Sequence, residues 1–172
     1  VPPYTFVSTA LAPMLLGAVP VFADIDLETA NISPEAIARA VTPKTRAVIP
    51  VHFAGLPCDM DAIKAIAAEH DLRIVEDACH SWGTRYRRTG LGAVGDCGAF
   101  SFQMSKNMTA GEGGILVTSD RSIAEAARSY ANCGRKLGAP WYEHHIVADN
   151  LRMTEVQAAM LQVQLGRLIE QT

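Results

Sequence analysis

One lysine, Lys106, stands in the run AFSFQMSKNMTAGEGG, after an apolar, strand-like stretch (Ala99 to Phe102) and before a glycine-rich turn. A lysine that only solvates a loop needs neither neighbour. One that does covalent chemistry is served by both, because a rigid frame and a partly apolar pocket tune its amine. Upstream, VEDACHSWG supplies a second candidate: the strand-like Arg73 to Asp77 ends in a carboxylate, and His80 follows three residues later. Ligands in parallel sheets gather at the carboxyl ends of strands, which is where Asp77 would sit. A carboxylate there could bind a metal, act as a general base or partner a cationic heterocycle. Capping the following turn is the plain structural alternative.

Asp77 and Lys106 together narrow the chemistry. A strand-end aspartate with a strand-end lysine is what pyridoxal 5'-phosphate requires: the amine forms an imine with the cofactor aldehyde, and the carboxylate keeps the pyridine nitrogen protonated. The protonated ring then accepts the electrons released when a substrate Cα–H bond breaks. The glycines of GEGG let the backbone turn sharply after Lys106 without crowding such a group. Glu112 within that turn would polarise it, contact substrate or simply face solvent.

These side chains need a frame. Runs at 19–22 (VPVF), 46–52 (RAVIPVH), 73–77 (RIVED), 97–102 (CGAFSF) and 115–119 (ILVTS) read as strands, most of them apolar enough to be buried on both faces. Helical patterns alternate with them. Pro34 after Ser33 opens PEAIARAV. Asp59 caps a helix from Met60 whose Ile63, Ile66, Ala67 and His70 share one face. Asp120 opens RSIAEAARSYAN, which stops at Gly134, and Thr154 with Gln157 forms a capping box for a last helix through Leu168. Pro13 predicts a kink in a first helix. The alternation predicts an α/β fold with a mainly parallel sheet flanked by helices. Within that plan 84–92 (TRYRRTGLG) reads as a small inserted hairpin. Residues 90–95, GLGAVG, match the dinucleotide fingerprint letter for letter. That fingerprint needs a strand before it and a helix after it, whereas here a polar hairpin precedes and an apolar strand follows, so tight turns are the expectation.

The 172 residues are 49% hydrophobic and 19% charged, with a formal charge of −3. That length supports one core or part of a larger domain. RYRR (85–88) is the densest basic patch and is too short for a phosphate-binding face, so no nucleic-acid partner is expected. Cys58, Cys79, Cys97 and Cys133 show no CxxC or finger spacing. No metal site is expected, and mostly buried free thiols in a reducing cytoplasm are the reading. The uncharged opening as far as Asp24 is punctuated by Pro2, Pro3, Pro13 and Pro20 and carries no early positive charge, so neither a membrane helix nor a signal peptide is expected. The chain lacks an initiator Met and opens on VPPYTF, which reads as a strand end; a piece of a longer protein is expected.

Six segments in order, PPYTFVSTA, PVFADID, TPKTRAVIPVHFAG, VEDACHSWG, FSFQMSKNMTAGEGGILVT and DNLRMTEVQAAM, resemble the pyridoxal-phosphate-dependent sugar aminotransferases of the DegT/StrS group. The resemblance implies an aspartate-aminotransferase-like (fold type I) large domain and a homodimer. It also implies transfer of an amino group from glutamate or glutamine to a keto sugar, often nucleotide-linked, or a ketocyclitol. By the same resemblance Lys106 matches the Schiff-base lysine, Asp77 the pyridinium partner and His80 a residue beside the ring and its phenolic oxygen. Phe6 matches the aromatic that stacks on the ring, Ser101 a phosphate contact, and Asn150 the asparagine that reaches a neighbouring subunit's phosphate. His80 as a satisfied strand-end histidine, Phe6 as plain core and Ser101 as a ladder residue remain alternatives.

Residues 1–172 would then be the central part of the cofactor-binding large domain, without the upstream phosphate-binding segment or the C-terminal small domain. Relatives that remove a sugar hydroxyl replace the lysine with histidine, which Lys106 argues against. A non-catalytic cofactor-binding relative is the other alternative, and a nicotinamide oxidoreductase built on GLGAVG ranks last. Gln103 stands where nucleotide-sugar members commonly carry a Tyr-Pro type, which tilts the acceptor towards ketocyclitols or aromatic-amine precursors. PWYEHHIVAD (140–149) has no clear counterpart; its His144 and His145 would touch substrate or sit on a loop.

Overall fold

The computed structural model describes residues 1–171. Along the chain run α1 (Ser8–Met14), α2 (Pro34–Ala40), β1 (Ala47–Val48), α3 (Met60–Glu69), β2 (Arg73–Asp77), β3 (Arg85–Tyr86), β4 (Thr89–Gly90), β5 (Cys97–Ser101), β6 (Gly114–Val117), α4 (Arg121–Ala131), α5 (Glu155–Leu165) and α6 (Leu168–Gln171). The main sheet has the order β1-β2-β5-β6. β1, β2 and β5 are parallel, with Ala47 opposite Arg73 and Asp77 opposite Ala99, whereas β6 returns antiparallel with Ser101 opposite Gly114. The fold is α/β with a mainly parallel sheet, as the alternation of elements predicts. The inserted hairpin is present as β3 and β4.

Local chemistry sets most helix starts. The side chains of Ser33, Asp59, Asp120 and Thr154 each accept a backbone N–H at the head of α2, α3, α4 and α5. Thr154 and Gln157 close the reciprocal capping box. The main core lies between α2, α3 and the sheet, where Ile32, Ile37, Val48, Met60, Ile63 and Ile74 pack together. Ile63 and Ala67 face that core, while His70 is the exposed C-cap of α3. A second, smaller cluster gathers Phe102, Met108, Ala110, Leu161 and Leu168, with Trp82 against it.

Four expectations change. Residues 19–22 form no strand: Val21 O accepts from Val1 N (3.0 Å), beside the neighbouring Ala23 N to Val1 O bond (3.0 Å), and Val19, Val21 and Phe22 are exposed. Pro13 ends α1 one residue later instead of kinking it, since the chain turns out through Gly17 at φ +77°. The last helix breaks at Gly166, before α6. The outer sheet is covered less than its apolar sequence suggests, with Ile115 at 46% and Leu116 at 44% exposure on β6. The thiols are all free; Cys58 and Cys97 are buried, and Cys79 and Cys133 are half-buried.

Candidate functional site

β2 ends with two carboxylates that point into different surroundings. Glu76 faces inward and its side chain is 0% exposed. Its Oε2 accepts from His52 Nε2 at 2.9 Å and Gly92 N at 2.8 Å, and its Oε1 from Val94 N at 2.7 Å and Gly95 N at 2.6 Å. Four donors fill the four acceptor positions of a carboxylate. Because His52 Nδ1 accepts the Cys58 amide at 3.2 Å, the ring proton belongs on Nε2, pointing at Glu76. Burial pushes the Glu76 carboxyl up, but the His52 hydrogen bond and the Gly95 and Gly92 amides outweigh it and hold the group below the usual glutamate range.

This cradle is where GLGAVG went. The segment joins β4 to β5, and its amides close on the protein's own carboxylate. Gly92 takes φ +86°, and a Cβ on Gly98 would lie 2.4 Å from Gly92 Cα, so the turn and β5 touch backbone to backbone.

Asp77, one residue on, is half-buried. Its Oδ1 accepts the Cys79 amide at 3.2 Å, so the turn-capping role exists. Its Oδ2 accepts the Thr9 hydroxyl at 2.7 Å, and Thr9 in turn meets Thr5 Oγ1 at 2.7 Å. The Cys79 thiol is pushed up to about 12, by burial first, then by the charge and hydrogen bond of Asp77, with Lys106 opposing. His80 is lowered from its ordinary value by burial first and then by the Lys106 charge, with Asp77 opposing. Both residues therefore feel Asp77 and Lys106 at once, which puts the four groups in one electrostatic neighbourhood. His80 Nδ1 accepts the Ala54 amide at 3.3 Å, leaving Nε2 as the donor of a neutral ring. Tyr4 packs on Phe53 at 4.6 Å between centroids, and Phe53 meets His80 edge-on at 6.0 Å.

Lys106 is half-buried on the connection from β5 to β6. Both ends of that loop are tied down. Phe102 O accepts Ala110 N (2.9 Å) and Thr109 Oγ1 (2.9 Å), and Phe102 N donates to Gly113 O (2.8 Å). From α5, Gln164 grips the Thr109 backbone twice, accepting its N–H at 2.8 Å and donating to its carbonyl at 2.5 Å. Gln157, two helical turns earlier, donates to Glu112 O at 2.9 Å. Trp82 stacks on Phe102 at 5.2 Å and donates to Ser101 O at 3.3 Å, bracing the end of β5.

Four of the six residues singled out in the sequence lie at or just beyond the ends of β2 and β5. Asp77 ends β2 with His80 three residues beyond, Ser101 ends β5, and Lys106 follows on the next loop. Phe6 stands one residue before the N-cap Val7 of α1, whose Thr9 touches Asp77, and is 74% exposed. Ser101 Oγ accepts the Gln103 amide at 3.2 Å and keeps its own proton to donate. Asn150 lies apart, exposed and bridged to Asn132 beyond α4. Thr9, Gln164 and the His52–Glu76 pair carried no sequence signal of their own. The arrangement offers an anion for a heterocyclic N–H, an amine for a carbonyl carbon and a neutral imidazole donor, all on one edge. Among the described residues no group of three His, Cys, Asp or Glu could hold a metal ion, and no helix is long and apolar enough to cross a membrane.

Comparison with known proteins follows the same outline. The model of the DegT/DnrJ/EryC1/StrS aminotransferase family matches residues 1–172. A putative L-glutamine:3-amino-2,3-dideoxy-scyllo-inosose aminotransferase of Streptoalloteichus tenebrarius is 45% identical over 92% of this chain and 38% of its own. A UDP-N-acetyl-3-dehydro-alpha-D-glucosamine 3-aminotransferase of Acidithiobacillus ferrooxidans is 40% identical over 98% of this chain and 45% of its own. The crystal structure of 3-amino-5-hydroxybenzoic acid synthase superposes with a TM-score of 0.93 at 43% identity, covering 98% of this chain and 44% of that one. The chain thus spans less than half the length of these relatives.

Proposed function

This chain belongs to the DegT/DnrJ/EryC1/StrS aminotransferase family, and on that premise we propose that it carries the reaction centre of a pyridoxal-phosphate-dependent aminotransferase. The amino donor is glutamate or glutamine, and the acceptor is a keto sugar, often nucleotide-linked, or a ketocyclitol. Residues 1–172 are read as the central part of the cofactor-binding large domain. What supports this is that Asp77 ends β2, His80 follows three residues on and Lys106 stands on the loop after the adjacent parallel β5, close enough that its charge acts on Cys79 and His80, in a chain whose relatives are named for aminotransfer to a cyclitol and to a keto sugar.

The residues fit the cofactor. Asp77 is a half-buried carboxylate oriented by the Thr9 hydroxyl and the Cys79 amide and thiol, with acceptor capacity still to spare, which suits a ring N–H. Lys106 stands on a tethered loop, and Phe6 presents an exposed ring face beside Asp77's helix-borne partner. Bound pyridoxal phosphate supplies an electron sink for the pair released at the substrate Cα. Asp77 holds a proton at the ring nitrogen. Lys106 Nζ would be the amine that holds the cofactor's aldehyde, and as a free amine it would carry the proton taken from donor Cα, general acid–base work. His80 Nε2 would supply a donor for the cofactor's phenolic oxygen and Ser101 Oγ one for its phosphate, and Phe6 would cover one face of the ring. The enzyme is read as a cytoplasmic homodimer in which exposed Asn150 reaches the neighbour's phosphate site.

An absorbance scan with added pyridoxal phosphate, followed by borohydride trapping and peptide mapping, tests the reading. A visible band with the label on Lys106 is expected; Lys106→Ala should lose both. A variant that kept the band and the label elsewhere would remove Lys106 from its role. Sedimentation of the loaded protein tests the dimer.

A further inference from the structure

We propose that Thr9 is a positioning residue whose hydroxyl aims the Asp77 carboxylate at the cofactor ring nitrogen, with Thr5 completing the donor chain behind it. The inference rests on the reading that pyridoxal phosphate sits over Asp77. Thr9 lies on the first turn of α1, 68 residues from Asp77 in sequence, with its hydroxyl 2.7 Å from Oδ2. It is 6% exposed, so its hydroxyl cannot fall back on solvent. A helical threonine ordinarily satisfies itself on the carbonyl one turn back. This one leaves its helix and meets a carboxylate on the central strand.

The direction of each bond follows from proton counting. An ionised carboxylate only accepts, so the single Thr9 proton goes to Asp77. The 2.7 Å contact between the Thr5 and Thr9 hydroxyls then runs one way, with Thr5 donating. Each bond in such a chain polarises the next, strengthening the last one, to Asp77. The Cys79 amide holds the other oxygen at 3.2 Å. Two donors on different oxygens, from segments far apart in the chain, fix the carboxylate plane. With the Thr9 bond gone, the group is free to turn about the Cys79 bond, and its aim at a ring N–H degrades.

Thr9→Val keeps the size and removes the donor, while Thr9→Ser keeps the donor. Wild type and both variants are loaded with pyridoxal phosphate carrying 15N at the ring nitrogen. The 15N shift and the cofactor dissociation constant are then measured, and the Cys79 amide resonance is followed in the cofactor-free proteins. We expect Thr9→Val to weaken cofactor binding about tenfold, the scale of one hydrogen bond to a charged group. The 15N shift should move towards the unprotonated value and the Cys79 amide resonance should move too, with Thr9→Ser near wild type in all three. An unchanged 15N shift and Cys79 amide in Thr9→Val, or equal losses in both variants, would overturn the proposal and leave Thr9 a packing residue. A wild-type protein that takes no cofactor at Lys106 sinks the functional reading instead. The Cys79 amide then still decides whether Thr9 orients Asp77.

Discussion

Glu76 and Asp77 are neighbours on β2, yet the regions around them differ in kind. On the inner side, four donors from His52 and the 92–95 turn saturate a carboxylate with no exposed surface. At the strand end, a half-buried carboxylate takes the Thr9 hydroxyl and the Cys79 amide, is bonded by the Cys79 thiol as well, and shares its surroundings with Lys106 and His80. The first has no capacity left for chemistry and the second retains some. Counting filled acceptor positions separates a structural acid from a reactive one more cleanly than burial alone.

The largest effect should come from the saturated side. Glu76→Gln turns an NH₂ towards two backbone N–H groups, and the variant should lose about 3–5 kcal/mol in urea unfolding, enough to unfold a marginal domain. A loss below about 1 kcal/mol would make the cradle dispensable and erase the contrast. Next in size, on the proposed reading, Asp77→Asn should cut aminotransfer by about 10²–10³-fold, the scale of removing one preorganised electrostatic partner. Its urea midpoint should barely move, because Asn can still accept the Cys79 amide through its oxygen and turn its NH₂ to donate to the Thr9 hydroxyl. If Asp77→Asn unfolds the protein while Glu76→Gln spares it, the two assignments are reversed.

Acid sharpens the comparison further. The Glu76 carboxyl is lowered by folding, so its contribution is fully present above the ordinary glutamate value of about 4.3 and is lost as pH falls through the lower folded value. The stability gap between wild type and Glu76→Gln should therefore be full near neutrality and shrink on acidification below that range. A gap that stayed constant down to pH 3 would mean the charge is not what the cradle holds. The smallest effect is expected at Gln164→Ala, which removes two hydrogen bonds to the Thr109 backbone. About 1–2 kcal/mol of stability should go, with faster amide exchange confined to residues 107–113. Exchange spread over the whole sheet would show that α5 braces more than the lysine loop.

What the sequence made legible was what neighbours in sequence decide. RIVED is β2 residue for residue, and the caps at Ser33, Asp59, Asp120 and Thr154 follow from side chains bonding two or three residues ahead. The convergence of Asp77, His80, Ser101 and Lys106 was legible because strand ends in a parallel sheet share an edge. Residues 19–22 misled because an apolar, β-branched run says nothing about whether a partner strand exists. The antiparallel return of β6 was hidden for a similar reason, since the loop from Phe102 to Gly113 gives no direction. Glu76 and Thr9 were invisible because their partners lie 16 to 68 residues away and include backbone amides.

The Glu76 cradle also guards against misalignment. Side chains on a strand alternate, so a slip of one residue would turn Asp77 inward and Glu76 out to the edge. The slipped strand would leave the amides of Gly92, Val94 and Gly95 and the imidazole of His52 facing a shorter acid that cannot reach them all. With β2 pairing to β1 on one side and β5 on the other, neither neighbour could correct the error alone. A residue with no part in the reaction thereby fixes the phase of the strand, and the aspartate beside it arrives on the correct side as a consequence.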